Sequence, residues 1–214
     1  MNPYYEEDGI TIYHGDCREI LPTLPKVDLI LTDPPYGLKW TGTGFKDRTS
    51  QYHSGADMQW DVRPDAEMLQ GIISGAEKYI IWGGNYFASD IGDCPGVLIW
   101  DKETGANSFA DAELAWSNVT GTTRIFRHQW CGAFKDSERG LKSQHPTQKP
   151  EALMGWCLKL AKTVGPVLDP FMGSGTTLVA CKQAGLQCTG IEREERYCEI
   201  AANRLRQGVL WASE

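Results

Sequence analysis

Residues 29 to 36 read Leu-Ile-Leu-Thr-Asp-Pro-Pro-Tyr: an apolar run ends in a carboxylate, two residues without a backbone N–H, and an aromatic ring. Pro34 and Pro35 remove two donors and fix the turn, so Asp33 and the carbonyls beside it are left as acceptors next to the ring of Tyr36. An Asp-Pro-Pro turn closing a buried strand around a core tyrosine would explain the turn. It would not explain why a second chemical constellation stands later in the same chain.

That constellation is Val167 to Ala180, Val-Leu-Asp-Pro-Phe-Met-Gly-Ser-Gly-Thr-Thr-Leu-Val-Ala. Gly173 and Gly175 stand between a strand and a helix, where glycine permits a tight turn and close approach of a ligand to free helix N–H groups. Glu192 ends the next strand, where an acid in adenosine-type sites accepts hydrogen bonds from ribose hydroxyls. Leu178 occupies the third-glycine position of the dinucleotide fingerprint, and no lysine follows in the P-loop pattern. An adenosine-bearing ligand without phosphates fits best. S-adenosylmethionine is such a ligand, and its cationic groups suit an acid such as Asp169. A nicotinamide dinucleotide over Gly173 and Gly175 stays open as the alternative from another enzyme class.

The elements that must position these groups follow from apolar patterning. Strands are expected at 9–14, 27–32, 79–82, 97–100, 113–117, 165–169 and 186–192, the continuous apolar runs suggesting burial on both faces. Helices are expected over Pro64–Gly75, Glu151–Thr163, 176–185 and Arg193–Gln207, with Pro150 suited to a helix start. Residues 37 to 61 lack any period and read as a long loop. Strands alternating with helices predict a doubly wound, mixed α/β sheet of Rossmann-like type in one domain over residues 1–214.

Composition excludes several classes. No run approaches the ~20 apolar residues that cross a bilayer, and the acidic N-terminus is no targeting helix; a cytoplasmic protein is expected, with no membrane partner. Seven cysteines without a C-x-x-C and four scattered histidines predict reduced thiols and no metal site. The net charge of −7 argues against bulk coating of nucleic acid. Yet residues 124 to 149 hold six basic residues against two acids, a local charge of +4 suited to a polyanion.

The two motifs together resemble the S-adenosylmethionine-dependent DNA methyltransferases that act on exocyclic amino groups, at adenine N6 or cytosine N4. Asp33-Pro34-Pro35-Tyr36 resembles their catalytic motif and Asp169 to Thr177 their cofactor motif. The similarity extends through 14–21, 98–102, 145–150 and 190–204. The catalytic motif comes first, as in the family's beta group, whose motif order is circularly permuted. The resemblance implies that Asp33 and the Pro34 carbonyl accept the two amino N–H bonds and that Tyr36 stacks on a base rotated out of the duplex. By family habit, Asp at the first position favours adenine N6, with cytosine N4 the nearer rival.

Around S-adenosylmethionine the resemblance implies Asp169, Phe171, Gly173, Ser174, Gly175, Thr176 and Glu192. Asp16 would touch the cofactor adenine, and Thr147, with Lys149, its amino-acid portion. Trp82, Gly83, Gly84 and Asn85 would line the target-base pocket, with Asn85 as a helix N-cap the alternative, while tryptophans such as Trp82, Trp100 and Trp116 read more readily as core than as binding platforms. Residues 118–144 stand as a short target-recognition insert; with the loop at 37–61 it would grip DNA through Lys39, Trp40, Arg124, Arg127 and Lys142. A homodimer and a place in restriction-modification are further implications, in a bacterial or phage-infected cell.

Overall fold

The computed structural model describes residues 2–38, 61–104, 110–131, 134–138 and 147–207. Strand β3, Val27–Thr32, lies at its centre. Leu29, Ile30 and Leu31 are fully buried, each worth roughly 2 kcal/mol. Leu29 and Leu31 belong to one apolar cluster and Ile30 to another. Alternation along a strand covered on both sides accounts for the unbroken apolar run.

The chain begins with β1 (Tyr5–Glu7) and β2 (Ile10–His14), an antiparallel hairpin turned at Asp8 and Gly9, both with positive φ. A short helix α1 (Cys17–Ile20) precedes β3. After it come α2 (Ala66–Ser74), β4 (Ala76–Trp82), α3 (Gly84–Ile91), β5 (Gly96–Asp101), β6 (Ala112–Ser117) and β7 (Arg124–Arg127). A small hairpin, β8 (Trp130–Cys131) with β9 (Phe134–Lys135), stands apart from the main sheet. The remainder is α4 (Glu151–Ala161), β10 (Val167–Asp169), α5 (Thr176–Gln183), β11 (Cys188–Glu192) and α6 (Glu195–Arg206).

Among the described residues the main sheet runs β1-β2-β11-β10-β3-β4-β6-β5-β7. Strands β2, β11, β10, β3 and β4 are mutually parallel, while β6 runs against both β4 and β5. Residues from α4, α5 and α6 fill the cluster on one face, and residues from α1 and α2 the cluster on the other. This is the expected doubly wound α/β sheet, with antiparallel strands added. From β10 the chain winds outward through α5 to β11; from β3 it winds the other way through α2 to β4. The β10/β3 boundary is therefore the switch point, where a crevice opens beyond the strand ends.

Four local differences from the sequence expectation have physical causes. The α2 helix starts at Ala66 because the Asp65 side chain caps it, accepting from the Met68 N–H at 2.9 Å. Strand β1 has one inward residue, Tyr5, too little for a periodic signal. Helix α3 begins at Gly84 after a left-handed Gly83, so Asn85 sits in the first turn rather than at the cap. Residues 124–127 form part of the main sheet, parallel to β5, so the basic segment begins as an edge strand.

Candidate active site

Both motifs end on the switch point. Val167 and Leu168 pair with Leu29 and Ile30, so Asp169 and Thr32 meet across the two strands. The Thr32 hydroxyl donates to the Asp169 carboxylate at 2.7 Å, and the Phe171 N–H donates to the same oxygen at 3.1 Å. Asp169 is 3% exposed, and its burial pushes the carboxyl up to about 6 against those hydrogen bonds. Asp33, next after Thr32, opens with Asp169 onto one cleft of ≈ 820 Å³.

At Asp33 the carboxylate is fully engaged. One oxygen accepts from the Tyr36 hydroxyl at 2.6 Å; the other accepts from the Lys149 ammonium. Burial raises the Asp33 carboxyl, Lys149 opposes that rise and Glu113 adds to it. Lys149, 5% exposed, bridges to Glu113 at 3.0 Å, and Lys102 meets the other Glu113 oxygen at 2.5 Å. Despite the cost of burial, the two ammoniums hold Glu113 down at about 2. Lys149, against the same cost, is held above the usual lysine range by Asp33 and Glu113. Tyr36 is pushed well above its ordinary value by burial and the adjacent carboxylates, so it remains a phenol that donates.

The Tyr36 ring stacks on Tyr86 (centroids 4.7 Å apart, 24° between planes) and meets Phe87 edge-on. Gly83 lets the ring lie there: a Cβ at that position would stand 2.1 Å from Tyr36 Cε1, and its φ of +73° is left-handed. Gly83, Asn85 and Tyr86 line the cleft. Trp82 is fully buried in the main core, the reading favoured for the tryptophans, and Gly84 packs against Trp116, so of the four positions 82–85 only Gly83 and Asn85 line the pocket.

On the cofactor-motif side, the Glu192 carboxylate accepts from the Gly173 N–H at 3.0 Å and the Glu194 N–H at 2.8 Å. Burial raises it and these donors oppose the rise. Gly175, at φ +79°, heads α5 and packs so close to α6 that a Cβ would stand 2.7 Å from Ala201 Cβ. Arg204 pins the loop, donating to the Ser174 carbonyl at 2.6 Å while pairing with Glu151. Asp16 caps α1 and binds Arg18, which lowers its carboxyl first of all through the side-chain hydrogen bond.

The cleft therefore gathers Asp33, Pro34, Pro35, Tyr36, Asp16, Thr147, Asp169, Phe171, Gly173, Ser174, Thr176 and Glu192. Gly175 lies outside its lining. Lys149 reaches the Asp33 carboxylate, not only the neighbourhood expected of Thr147. Arg124 and Arg127 are exposed on β7 and do not line the cleft; Arg127 lies 3.5 Å from Asp101. Lys39, Trp40 and Lys142 lie outside the described residues. Among the described residues, no group of three or more His, Cys, Asp or Glu is placed to hold a metal ion, and no helix is long and apolar enough to cross a membrane. Sequence reasoning missed Glu113, Lys102 and Tyr86; an acid in the otherwise apolar run Glu113-Leu-Ala-Trp116 was the available signal.

Comparison with known proteins gives the family and the fold. Residues 81–203 match the family model described as DNA methylase, of N6 and N4 type. The chain is 27% identical to the type II methyltransferase M.HinfI of Haemophilus influenzae, over 92% of this chain and 68% of that protein. It is 24% identical to M2.LlaDCHI of Lactococcus lactis subsp. cremoris, over 98% and 94%. Among solved structures, the M1.HpyAVI–SAM complex superposes with a TM-score of 0.61 at 25% identity, covering 92% of this chain and 98% of that one. The cytosine-N4-specific PvuII DNA methyltransferase gives 0.65 at 15% identity, covering 99% and 90%, a likeness of fold.

Proposed function

The chain belongs to the DNA methylase family, and we propose that it transfers a methyl group from S-adenosylmethionine to the N6 amino group of adenine in DNA. One observation carries the proposal. Asp33 and Asp169 close adjoining strands, are linked through Thr32, and open onto the same cleft. An acceptor for an amino group and an anion for a cationic cofactor therefore stand side by side.

The residues present fit the cofactor. Asp169 and Glu192 are buried or half-buried acids at strand ends, and Gly173 offers a backbone without a side chain between them. Asp169 would hold the ammonium of the amino-acid portion, Glu192 the ribose hydroxyls, and Asp16, Thr147, Phe171, Ser174 and Thr176 the remaining walls. When bound, S-adenosylmethionine supplies an electrophilic methyl on a sulfonium that leaves as a neutral thioether.

An adenine amino lone pair is delocalised into the ring, so the nitrogen is a poor nucleophile. Asp33 and the Pro34 carbonyl would each accept one N–H, favouring a tetrahedral nitrogen whose lone pair points across to the cofactor side. Pro34 and Pro35 carry no N–H that would compete. Tyr36 would stack on the base once it leaves the duplex. Aspartate at the first motif position supports adenine over cytosine. Arg124 and Arg127, with Lys39, Trp40 and Lys142, would contact DNA outside the cleft, and a second copy would extend that contact. Similarity to type II methyltransferases supports a role in restriction-modification.

The test is to incubate the protein with DNA and methyl-labelled S-adenosylmethionine, digest to nucleosides, and weigh the labelled product. N6-methyladenine is expected. N4-methylcytosine overturns the base assignment, and unlabelled DNA overturns the activity.

A further inference from the structure

The cleft wall holds Asp33 within a half-buried array of four charges, and the methyl transfer itself does not use the other three, Glu113, Lys149 and Lys102. Around Asp33 stand Lys149 at the head of α4, Glu113 near the start of β6, Tyr36 from its own turn, and Asp169 from β10. Lys102, just beyond β5, meets Glu113 from the far side and lies 4.9 Å over the Trp100 ring. With both acids ionised and both lysines protonated, Asp33, Glu113, Lys149 and Lys102 sum to zero.

A lysine held by Asp33 alone would compete with the incoming amino group for the same carboxylate. It would also set a full positive charge against the charge that develops on the amino nitrogen as the methyl arrives. Neither difficulty arises if the ammonium is shared with a second carboxylate. Glu113 is that carboxylate, 3.0 Å from Lys149. Half-buried there, Glu113 would be costly unpaired, and Lys149 and Lys102 on its two oxygens offset that cost.

We propose that Glu113 is a positioning residue for Asp33 and acts through Lys149: Lys149 keeps Asp33 ionised, and Glu113 draws off part of the ammonium so that the carboxylate is free to accept the target amino group. Lys102 sets the balance by holding Glu113 from the other side. The proposal rests on Asp33 being the amino acceptor. The same field acts on the Asp33 carboxyl: burial raises it, Lys149 lowers it and Glu113 raises it further.

The experiment follows the Asp33 carboxyl by carbon-13 NMR in the free, full-length protein across pH, with Asp33→Asn identifying its signal. Glu113→Gln leaves Lys149 to Asp33 alone, and the Asp33 titration is expected to fall by about one pH unit. Lys102→Met releases Glu113 toward Lys149, and the titration is expected to rise. The acidic limb of kcat at saturating S-adenosylmethionine should move in the same two directions. Plateau kcat of Glu113→Gln should drop about tenfold or more, with partial recovery in Glu113→Asp. Charge proximity alone moves the two titrations in opposite senses; plateau kcat unchanged in a folded Glu113→Gln would leave Glu113 no positioning role and overturns the proposal. An Asp33 titration unmoved in both variants overturns the proposal; if Glu113→Gln does not fold, an unmoved titration in Lys102→Met does so alone. Methyl transfer retained by Asp33→Ala would overturn Asp33 as the amino acceptor, the reading on which this proposal rests. Transfer abolished in Asp33→Ala, with unmoved titrations, would overturn the role of Glu113 only.

Discussion

Replacing Asp169 by asparagine should make the ligand-free protein more stable at neutral pH while spoiling its cofactor site. The buried Asp169 carboxyl titrates at about 6 instead of the ordinary 3.8, so ionising it inside the fold costs roughly 3 kcal/mol at 1.4 kcal/mol per tenfold. Its folded value lies above its unfolded one. The associated stability is therefore complete below about pH 4, declines as pH rises toward 6, and is gone above it. Asparagine keeps an oxygen to accept from Thr32 and Phe171 but brings an NH2 group that needs its own partner, a cost of about 1 kcal/mol. The Asn variant should thus gain about 2 kcal/mol over wild type at pH 8 in urea unfolding, and the gain should fall to zero between about pH 4 and 5 and become a deficit of about 1 kcal/mol at lower pH. Under the proposed function, S-adenosylmethionine binding by wild type should tighten as pH rises through about 6, and binding by the variant should be weak and flat over that window. A stability difference that does not change between pH 4 and 8 would show that Asp169 is not strained by burial. Cofactor binding by the variant equal to wild type would remove Asp169 from the cofactor site.

Three further outcomes follow from the packing and the surface charge. Gly83→Ala forces a Cβ into Tyr36 and strains a left-handed residue; methyl transfer should fall on the order of 10²-fold while calorimetry shows unchanged cofactor binding. Gly175→Ala, crowding Ala201 at φ +79°, should cost about 1–3 kcal/mol of stability, read as a lower melting temperature and urea midpoint. Replacing Arg124, Arg127 and Lys142 together by alanine should weaken DNA binding and reduce its salt slope by about one for each phosphate no longer neutralised; unchanged affinity at moderate salt would remove this segment from the DNA interface.

The buried parallel strands were legible because covering both faces leaves an unbroken apolar run, as in Leu29-Ile30-Leu31. The glycine loop was legible because Gly173 and Gly175 fall between a strand and a helix and carry positive φ. Glu113 was not, although its strand was expected. Because β6 runs antiparallel to β4, its first residues lie beside the ends of the parallel strands, and strand direction leaves no mark in one sequence. The destination of Lys149 escaped for a similar reason: spacing places it at a helix start but says nothing of which carboxylate its long side chain reaches. Trp82 was legible as core because a large aromatic closing an apolar run is usually buried; which neighbour faces the cleft was not, since only the pleat decides that Gly83 and Tyr86 stand there.

Everything proposed for the cleft depends on Asp33 holding the amino group that receives the methyl. Single-turnover transfer of labelled methyl from S-adenosylmethionine to DNA by Asp33→Ala, with cofactor affinity measured on the same preparation, tests that role without intermediaries. Cofactor binding is expected within about threefold of wild type, under 0.7 kcal/mol, and transfer reduced by roughly 10³-fold or more. Transfer near the wild-type rate by a variant that binds cofactor normally would contradict it.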